Sequence, residues 1–216
     1  MTPLLLLGAG GCGREVAAML RHTNAHHAPQ WDLLGFLDDD PARQGQIIDG
    51  HPVLGGVSLL QNYAASGVLV ACAIADPLVK MQVVAHADRL GARWATLAHH
   101  TAIVMDTAHL DEGCLLLPFS AVTTCAHLGR HVHLNYHSAV GHDGLLGDYV
   151  TLSSFVDITG KVTLGQGVFV GSGASVLPGC TVGDYAVIGG GALVHQDIPP
   201  RTVAVGVPAR VIKQRT

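Results

Sequence analysis

The sequence is poor in charged and aromatic side chains. Of its 216 residues, 13% are charged and 5% are aromatic, whereas about a quarter of the residues of an average globular protein are charged. The formal net charge is −4 and the sequence pI is about 6.4. A nucleic-acid-binding protein usually carries a basic patch, so we expect no nucleic-acid partner. Glycine, with 27 residues, and histidine, with 14, are abundant instead.

Long apolar runs are also missing, although the mean hydropathy is positive at +0.37. A membrane-spanning helix needs about 18 apolar residues in succession, and the longest candidate run, 68–75, has the length of a strand. The leucines at 4–7 follow no basic segment and are too few for the apolar part of a signal peptide. We therefore expect no membrane span, no signal peptide and no intrinsic disorder.

The cysteines do not form a recognisable disulfide or metal pattern. The five stand at positions 12, 72, 114, 125 and 180, an odd number without a Cys-x-x-Cys pair. Such a set favours reduced thiols and a cytoplasmic protein.

The first hundred residues have the alternating pattern of an α/β domain. Apolar runs predict strands over 3–7, 33–37, 67–75 and 93–97, and helical spacing predicts helices over 14–21 and 76–90. Strand–helix alternation implies parallel strands joined by right-handed crossovers. We predict a half-Rossmann domain over residues 1–98.

A glycine-rich turn follows the first predicted strand. Its glycines match the pattern Gly-x-Gly-x-x-Gly between a strand and a helix, where glycine lets a phosphate approach the backbone at a helix N-terminus. The same turn also occurs where helix and strand only pack closely. About 100 residues hold half of a dinucleotide domain, which favours a single nucleotide over NAD. Two acidic residues after the second predicted strand can hold a ribose hydroxyl. The candidate substrate-binding residues are therefore the glycines and these two acids: Gly8, Gly10, Gly11, Gly13, Asp38 and Asp39. Cys12 has no evident base beside it and is interpreted as a small loop residue, not a nucleophile.

The second half of the chain is a six-residue repeat. Every sixth residue from Val104 to Val194 is Val, Leu or Ile, sixteen in all, without a break in register. Glycine often follows the aliphatic residue, and the fourth residue after it is usually small, as at Ala108, Ser138 and Ala174. Hexapeptide periodicity predicts a parallel β-helix in which the aliphatic residues stack inside, the small residues fit tight corners, and glycine tolerates left-handed backbone. We assign it to residues 99–198, with a C-terminal tail over 199–216 as a cap.

Several segments resemble one family over nearly the whole chain. These are the glycine-rich turn, FLDDD at 36–40, LNYHSAVGHD at 134–143, and an ending with IPP at 198–200 and VGVPA at 205–209. They are similar to the hexapeptide-repeat acetyltransferases of bacterial sugar-nucleotide and sialic acid pathways. The resemblance implies a left-handed β-helix of about five three-hexad coils. It also implies a homotrimer with active sites between adjacent helices, which would use heterologous contacts in a closed ring.

The resemblance also implies an activity and its residues. The expected reaction is acetyl transfer from acetyl-CoA to a nucleotide-linked amino sugar, with a 4-amino group as the expected acceptor and no metal. His142 would be the catalytic base and Asp143 its acidic partner, with Asn135 on the substrate side. The expected cofactor contacts are Gly160, Ser172, Gly190, Pro208 and Lys213. A histidine base, an acid that stabilises its imidazolium and an N–H for the oxyanion are what thioester aminolysis needs.

Other interpretations of these residues remain open. His142 taken alone is also typical of a solvent-facing corner residue, and the basic residues of the tail are either solvated or contact the phosphates of coenzyme A. The acceptor in the same reaction can be a sialic acid hydroxyl. Alternatively, His137 and His142 with His100 or His109 could form the zinc site of a γ-class carbonic anhydrase, which uses a similar β-helix. A non-catalytic sugar-nucleotide-binding protein is the remaining alternative. His127, His131, His133 and the other histidines are expected at the surface or at an interface.

Overall fold

The computed structural model describes residues 1–63 and 66–215. Its chain divides into two compact units, Met1–His100 and Thr101–Thr216. Thr216, the last residue of the predicted tail, lies outside the described residues. Neither of the two α-helices is both long and apolar enough to cross a bilayer.

The first unit is an α/β sheet with two α-helices. Its strands are β1 (Thr2–Leu7), β2 (Trp31–Leu37), β3 (Ile47–Ile48), β4 (His51–Gly55), β5 (Leu69–Cys72) and β6 (Leu97–Ala98), and its helices are α1 (Gly11–His26), a 3-10 helix (Val57–Asn62) and α2 (Pro77–Arg89). The sheet order is β3-β4-β2-β1-β5, in which β4, β2, β1 and β5 run parallel. The leucines at 4–7 are fully buried, as a central strand with both faces covered requires.

Most predicted elements of this unit are present, with two corrections. Helix α1 begins three residues before the predicted 14–21 segment, so Cys12 lies in its first turn rather than in a loop. The strand predicted at 93–97 is reduced to one bridge, between Val70 and Trp94. Strands β3 and β4 form a short hairpin that the alternation pattern did not predict.

The second unit is a parallel β-helix built from two-residue strands. The described part of the chain contains sixteen of them: Ile103–Val104, His109–Leu110, Leu115–Leu116, Ala121–Val122, His127–Leu128, His133–Leu134, Ala139–Val140, Leu145–Leu146, Thr151–Leu152, Asp157–Ile158, Thr163–Leu164, Phe169–Val170, Ser175–Val176, Thr181–Val182, Val187–Ile188 and Leu193–Val194, numbered β7 to β22. Each pairs in parallel with the strand eighteen residues away, as Val122 does with Val104 and Val140. Three hexads therefore make one coil, as predicted, and the aliphatic residues from Leu116 on form one buried core.

Glycine has a different role in the hexad from the one expected. The glycines that follow the aliphatic residue, such as Gly147 and Gly171, do not have positive φ. A Cβ there would instead lie 2.8 Å from Gln166 N and 2.6 Å from Gly190 N of the next coil. The left-handed corner positions stand two residues later and are mostly not glycine: Phe119, Cys125, His131, His137, Asp143, Tyr149, Phe155, Lys161 and Tyr185. Close approach between coils, rather than backbone conformation, requires glycine after the aliphatic residue.

The chain ends in an antiparallel hairpin of β23 (Thr202–Val205) and β24 (Arg210–Gln214). Strand β23 continues the ladder by pairing in parallel with β21 (Val187–Ile188). The hairpin buries Ala204 and Ala209 against the last coil.

Candidate active site

A groove of about 530 Å³ lies at the carboxyl ends of the parallel strands in the first unit. This is where open α/β sheets bind ligands. Gly10 is the N-cap of helix α1, and nothing lies within 4 Å of the side-chain position of Gly11, the first residue of the helix. The N-terminus of the helix lines the groove through Gly10, Gly11 and Cys12, and its first turn contains no acidic residue. The groove can hold an anionic group at this end.

The glycines of the turn have separate roles. Gly8 lines the groove with φ +96°, and a Cβ there would lie 2.9 Å from Ile74 Cγ1. Gly13 is buried, and a Cβ at this position would overlap the carbonyl oxygen of Gly8. Gly8, Gly10 and Gly11 thus face the groove, whereas Gly13 lets the helix pack on the turn and is not among the lining residues.

Asp38 holds the turn together. Its Oδ2 accepts hydrogen bonds from the Ala9 amide at 2.7 Å and from Arg43 Nη1 at 2.9 Å, and its Oδ1 accepts from the Asp40 amide. Burial raises the pKa of the Asp38 carboxyl, but these hydrogen bonds and the Arg43 charge outweigh burial and keep the pKa below its ordinary value. The carboxylate stays ionised, and its oxygens already have protein partners.

Asp39 has a comparable partner in the protein. Its Oδ1 accepts a 2.8 Å hydrogen bond from the Val57 amide at the start of the 3-10 helix. Both acids line the groove. Both carboxylates already accept hydrogen bonds from the loop that they stabilise. A ribose hydroxyl, as predicted for Asp38 and Asp39, would have to be an additional donor to the same oxygens.

Arg43 is a groove residue that sequence reasoning missed. It lies against Gly10, with Nη1 3.5 Å from the position of a Cβ on that glycine, and it pairs with Asp38 and Asp40. With Arg14 it also lines the adjoining cavity at the helix N-terminus. The two cations flank the glycine-rich turn, and arginine suits phosphate because of its forked donors. The available signal was a basic residue six positions after the end of the second strand, at Leu37.

Cys12 is not a nucleophile. Burial raises the pKa of the Cys12 thiol to about 12, and the charge of Lys80 offsets this only in part. The thiol is therefore protonated at neutral pH, whereas nucleophilic cysteines react as thiolates.

His142 and Asp143 form a hydrogen-bonded pair at a corner of the β-helix. Nδ1 of His142 lies 2.8 Å from Oδ2 of Asp143, and the His142 side chain is 62% exposed. Asp143 adopts a left-handed conformation with φ 58°, and its amide donates to the Thr124 carbonyl. An Nδ1–H donated to the carboxylate leaves Nε2 as the basic nitrogen.

Gly160 faces this imidazole from the next coil. A Cβ on Gly160 would overlap His142 Nε2, so only glycine leaves the ring in this position. Lys161 N donates to the His142 carbonyl at 2.8 Å, which fixes the two coils together here. Within the described residues the Gly160 N–H has no acceptor. A basic nitrogen and a free amide donor thus lie on successive coils, as thioester chemistry requires.

The other residues expected to contact acetyl-CoA lie further along the β-helix. Ser172 and Gly190 are neighbours on successive coils, with the Ser172 carbonyl 3.2 Å from the position of a Cβ on Gly190. Pro208 follows a cis peptide bond next to Ala209, whose amide donates to Leu193. Lys213 pairs with Val203 in the terminal hairpin and is exposed.

Two further basic residues of the tail have protein partners. The Arg201 guanidinium lies 4.8 Å from the centre of the Tyr185 ring, and Arg215 donates to the Tyr185 carbonyl. These two basic residues therefore contact the protein, whereas the sequence also allowed a tail whose basic residues are fully solvated.

The contacts of Asn135 and His137 within the described residues are with residues other than His142. The Asn135 side chain accepts from the amide of Tyr136 at 2.7 Å. The His137 ring is stacked between Phe119 and Phe155, with centroid distances of 4.9 and 4.8 Å. His137 and His142 belong to none of the described groups of three metal-ligating atoms. Among the described residues of the single chain, no group of three ligating atoms brings together the histidines expected for a carbonic-anhydrase-like zinc.

Three of the remaining histidines, which were expected at the surface or at an interface, are buried within the chain itself. His99, His131 and His133 are 4%, 1% and 2% exposed in the single chain. The His131 ring stacks on Tyr149 at the next corner of the β-helix, with the ring centroids 5.6 Å apart. Hydrophobic periodicity alone does not distinguish a buried histidine of this kind from an exposed one.

Comparisons with known protein families match both units. Residues 3–87 match the PglD N-terminal domain, and residues 161–196 match the bacterial transferase hexapeptide (six repeats). A curated relative, GDP-perosamine N-acetyltransferase from Escherichia coli O157:H7, is 31% identical over 129 residues, or 59% of this chain and 57% of that protein. The chain thus matches just over half the length of this curated relative.

Solved structures match over the whole chain. PerB from Caulobacter crescentus in complex with CoA and GDP-perosamine is 27% identical with a TM-score of 0.88, covering 99% of this chain and 98% of that one. The acetyltransferase domain of PglB from Neisseria gonorrhoeae FA1090, in complex with acetyl coenzyme A, is 27% identical with a TM-score of 0.86, covering 97% and 98%. These matches confirm the expected fold class and the resemblance to sugar-nucleotide acetyltransferases.

Proposed function

We propose that this chain, which carries a PglD N-terminal domain and hexapeptide repeats and is homologous to GDP-perosamine N-acetyltransferase and PglB, is an acetyl-CoA-dependent N-acetyltransferase. The acceptor is a nucleotide-linked amino sugar with a free amine, as at a 4-amino position. The observation that carries the proposal is the His142–Asp143 pair at 2.8 Å, with Nε2 facing a glycine whose amide is free.

The reaction follows from the chemistry of these groups. The sugar amine attacks the thioester carbonyl carbon while His142 Nε2 takes the proton that the nitrogen loses. The Asp143 carboxylate stabilises the imidazolium that forms. The Gly160 N–H donates to the oxyanion of the tetrahedral intermediate, and one such donor is typically worth about 3–4 kcal/mol.

The intermediate collapses without a covalent enzyme species. The carbon–sulfur bond breaks, the imidazolium returns its proton to the departing thiolate, and an amide and free CoA result. His142 is neutral again at the end of the cycle, so a single histidine serves as base and then as acid.

The nucleotide part of the acceptor fits the groove of the first unit. Its phosphates would meet the N-terminus of helix α1 between Arg14 and Arg43, where two cations and the positive end of the helix coincide. The apolar wall from Ile74 and Val83 would take the flat face of the base, and the carboxylate of Asp38 would use its remaining acceptor capacity for a ribose hydroxyl.

The proposal extends to the remaining cofactor contacts and to the assembly. Acetyl-CoA would lie along the β-helix past Ser172 and Gly190 toward Pro208 and Lys213. The chain would act as a homotrimer with active sites between adjacent β-helices, in the cytoplasm. Size-exclusion chromatography with light scattering tests the trimer, and a monomer with full turnover would contradict it.

A thiol-release assay tests the reaction. Purified protein is given acetyl-CoA and a panel of GDP-, UDP- and dTDP-linked 4-amino sugars, with the matching 4-hydroxy sugars as controls. Release of CoA with an amino sugar and none with its hydroxy counterpart supports N-acetylation. Release with the hydroxy sugars only contradicts N-acetylation, and so does the lack of release with every acceptor of the panel.

A further inference from the structure

Five histidine rings are packed together in the first unit, and none of them belongs to the residues that line the groove. Three lie at the end of helix α1 and two at the end of the unit, immediately after β6. We call this group the imidazole cluster: His22, His26, His27, His99 and His100. Its ring centroids lie 4.0 to 5.8 Å from their neighbours. No step of the proposed reaction uses any of them.

The sequence explains how the cluster forms. His22 and His26 stand four residues apart, so their side chains share one face of the helix, and their rings stack at 4.1 Å. His27 is the residue after the helix, where the regular backbone ends. His99 and His100 are adjacent, and both rings stack on His22 at 5.0 and 5.1 Å.

Three of these side chains present nitrogen atoms to one another. His22 Nδ1 lies 2.9 Å from His99 Nε2, and one ligand atom from each of His22, His99 and His100 lies within 4.8 Å of the others. Two nitrogens bound to one tetrahedral Zn²⁺ at about 2.0–2.1 Å lie roughly 3.3 Å apart. Small rotations of the rings would bring all three to that separation.

The burial of the group also fits a metal site. His99 is 4% exposed, and Nδ1 of His100 is buried without a hydrogen-bond partner within the described residues. A buried polar nitrogen without a partner is unfavourable, and a metal ion would satisfy it. The opposite side is partly open because His22 is exposed, so an ion has a route to the three nitrogens.

The chemistry of the donors selects the ion. Imidazole nitrogen is a borderline ligand that suits Zn²⁺, Cu²⁺ and Ni²⁺, whereas Mg²⁺ and Ca²⁺ prefer oxygen. The three ligands contain no carboxylate, which excludes the hard cations. Three histidines with a water as fourth ligand are an established zinc set.

We propose that His22, His99 and His100 form a binding site for one divalent transition-metal ion, zinc being the expected occupant. The ion would tie the end of helix α1 to the end of the first unit. Because the acetyl transfer proposed above uses no metal, this site is separate from the reaction and its test does not depend on the acceptor.

The test measures metal affinity directly. Full-length protein freed of metal with a chelator is titrated with Zn²⁺ in competition with a chromophoric chelator, and with Co²⁺ while its visible absorption is recorded. We expect one Zn²⁺ per chain at this site and a rise in the thermal midpoint on addition of the ion. His22→Ala should lower the affinity at least about tenfold, since even an outer-shell change costs that much.

Four variants make the result specific. His22 is exposed, so His22→Ala should fold, and circular dichroism checks this, whereas the buried His99→Ala serves only as a second ligand deletion. His86→Gln changes a half-buried histidine of helix α2 outside the cluster; it is the matched control and should bind as the natural protein does. His109→Gln with His127→Gln removes the second described group of ligands, in which both imidazoles contact Asp111.

The outcomes separate cleanly. Loss of tight binding in His22→Ala with binding kept in the His86 and His109/His127 variants supports the site. Zinc binding unchanged by His22→Ala, binding lost only with the His109/His127 pair, or no binding by the natural protein overturns it.

Discussion

His142 Nε2 lies in the space that a Cβ on Gly160 would occupy, although the two residues are eighteen positions apart. The coil repeat of the β-helix produces this relationship, because residues eighteen apart stack on successive coils. The imidazole and the free amide of Gly160 are thereby brought together on rigid backbone. This arrangement predicts what happens when either residue changes.

Replacing His142 by alanine should lower turnover by about two to four orders of magnitude, the usual contribution of a general base. The side chain is 62% exposed, so the fold should persist with an unchanged thermal midpoint. Steady-state thiol release measures the effect, and His86→Gln on helix α2 is the control. A His142→Ala enzyme with the natural rate would remove His142 from the mechanism.

Replacing Asp143 by asparagine should have a smaller effect. Asparagine keeps the size of the side chain and tolerates the left-handed conformation at φ 58°, but it removes the charge that stabilises the imidazolium. Turnover should fall about tenfold to a hundredfold, less than with His142→Ala. An equal loss in both variants would mean that Asp143 does more than support the imidazole.

Gly160→Ala should displace the His142 ring and lower turnover, because the added methyl group overlaps Nε2. The change is compared in a double-mutant cycle with His142→Ala. If the methyl acts through the ring, it should have little further effect once the ring is gone. A full additional loss in the double variant would indicate that the Gly160 backbone, not the histidine, is disturbed.

Arg43→Gln should raise KM for the nucleotide sugar about tenfold and leave kcat within a few-fold, because the arginine belongs to the binding groove. Arg89→Gln on helix α2 is the control, since Arg89 is outside the groove residues. An unchanged KM in Arg43→Gln would move the phosphates elsewhere. Competitive inhibition by free nucleoside diphosphates gives the same information without the sugar.

The stability of the metal-free protein should fall at acidic pH. Burial, followed by the neighbouring histidines His100, His22, His26 and His27, lowers the pKa of His99 to about 4. Between about pH 6.5, the ordinary value, and about pH 4 the unfolded chain therefore binds a proton that the folded chain does not. The free energy of unfolding decreases as the pH falls through this window.

Urea unfolding between pH 7 and pH 4 measures this dependence. His99→Gln should show a shallower fall than the natural protein because the group with the lowered pKa is absent. An identical pH dependence in both proteins would contradict the assignment to His99.

Glycines of the β-helix should differ in their tolerance of side chains. Gly147→Ala places a methyl group 2.8 Å from Gln166 N of the next coil and should destabilise by about 1–3 kcal/mol, the usual effect of overpacking. Gly179 has φ +74° with nothing within 4 Å of its side-chain position, and asparagine tolerates that conformation. Gly179→Asn should therefore change the free energy of unfolding by less. Equal losses in both variants would contradict the steric account.

The sequence was most informative where a residue is repeated. The aliphatic hexad predicted the β-helix and its buried core, because each inward position is constrained in every coil, and the resemblance implied the eighteen-residue register. The β3–β4 hairpin escaped prediction because two- to five-residue strands carry little periodicity. The role of the hexad glycines was also misjudged, since a crowded neighbour and a left-handed backbone both favour glycine and only coordinates distinguish them.

The site was predictable only in part. The resemblance pointed to His142, Asp143 and Gly160. The coil repeat of the β-helix explains why His142 and Gly160 lie next to each other. The resemblance did not point to Arg43, which reaches the groove through an irregular loop. Nor did it point to the imidazole cluster, in which His22 and His99 are 77 positions apart. Contacts between such distant residues depend on tertiary packing that local patterns do not encode.

The central claim is that His142 promotes acetyl transfer to the amine of a nucleotide-linked sugar. Its most direct test is CoA release from acetyl-CoA with GDP-, UDP- and dTDP-linked 4-amino sugars, compared between the natural protein and His142→Ala. We predict saturable release with at least one amino sugar and a rate at least about a hundredfold lower in the variant. Release that is equal in both proteins, or absent with every amino sugar, would contradict the account.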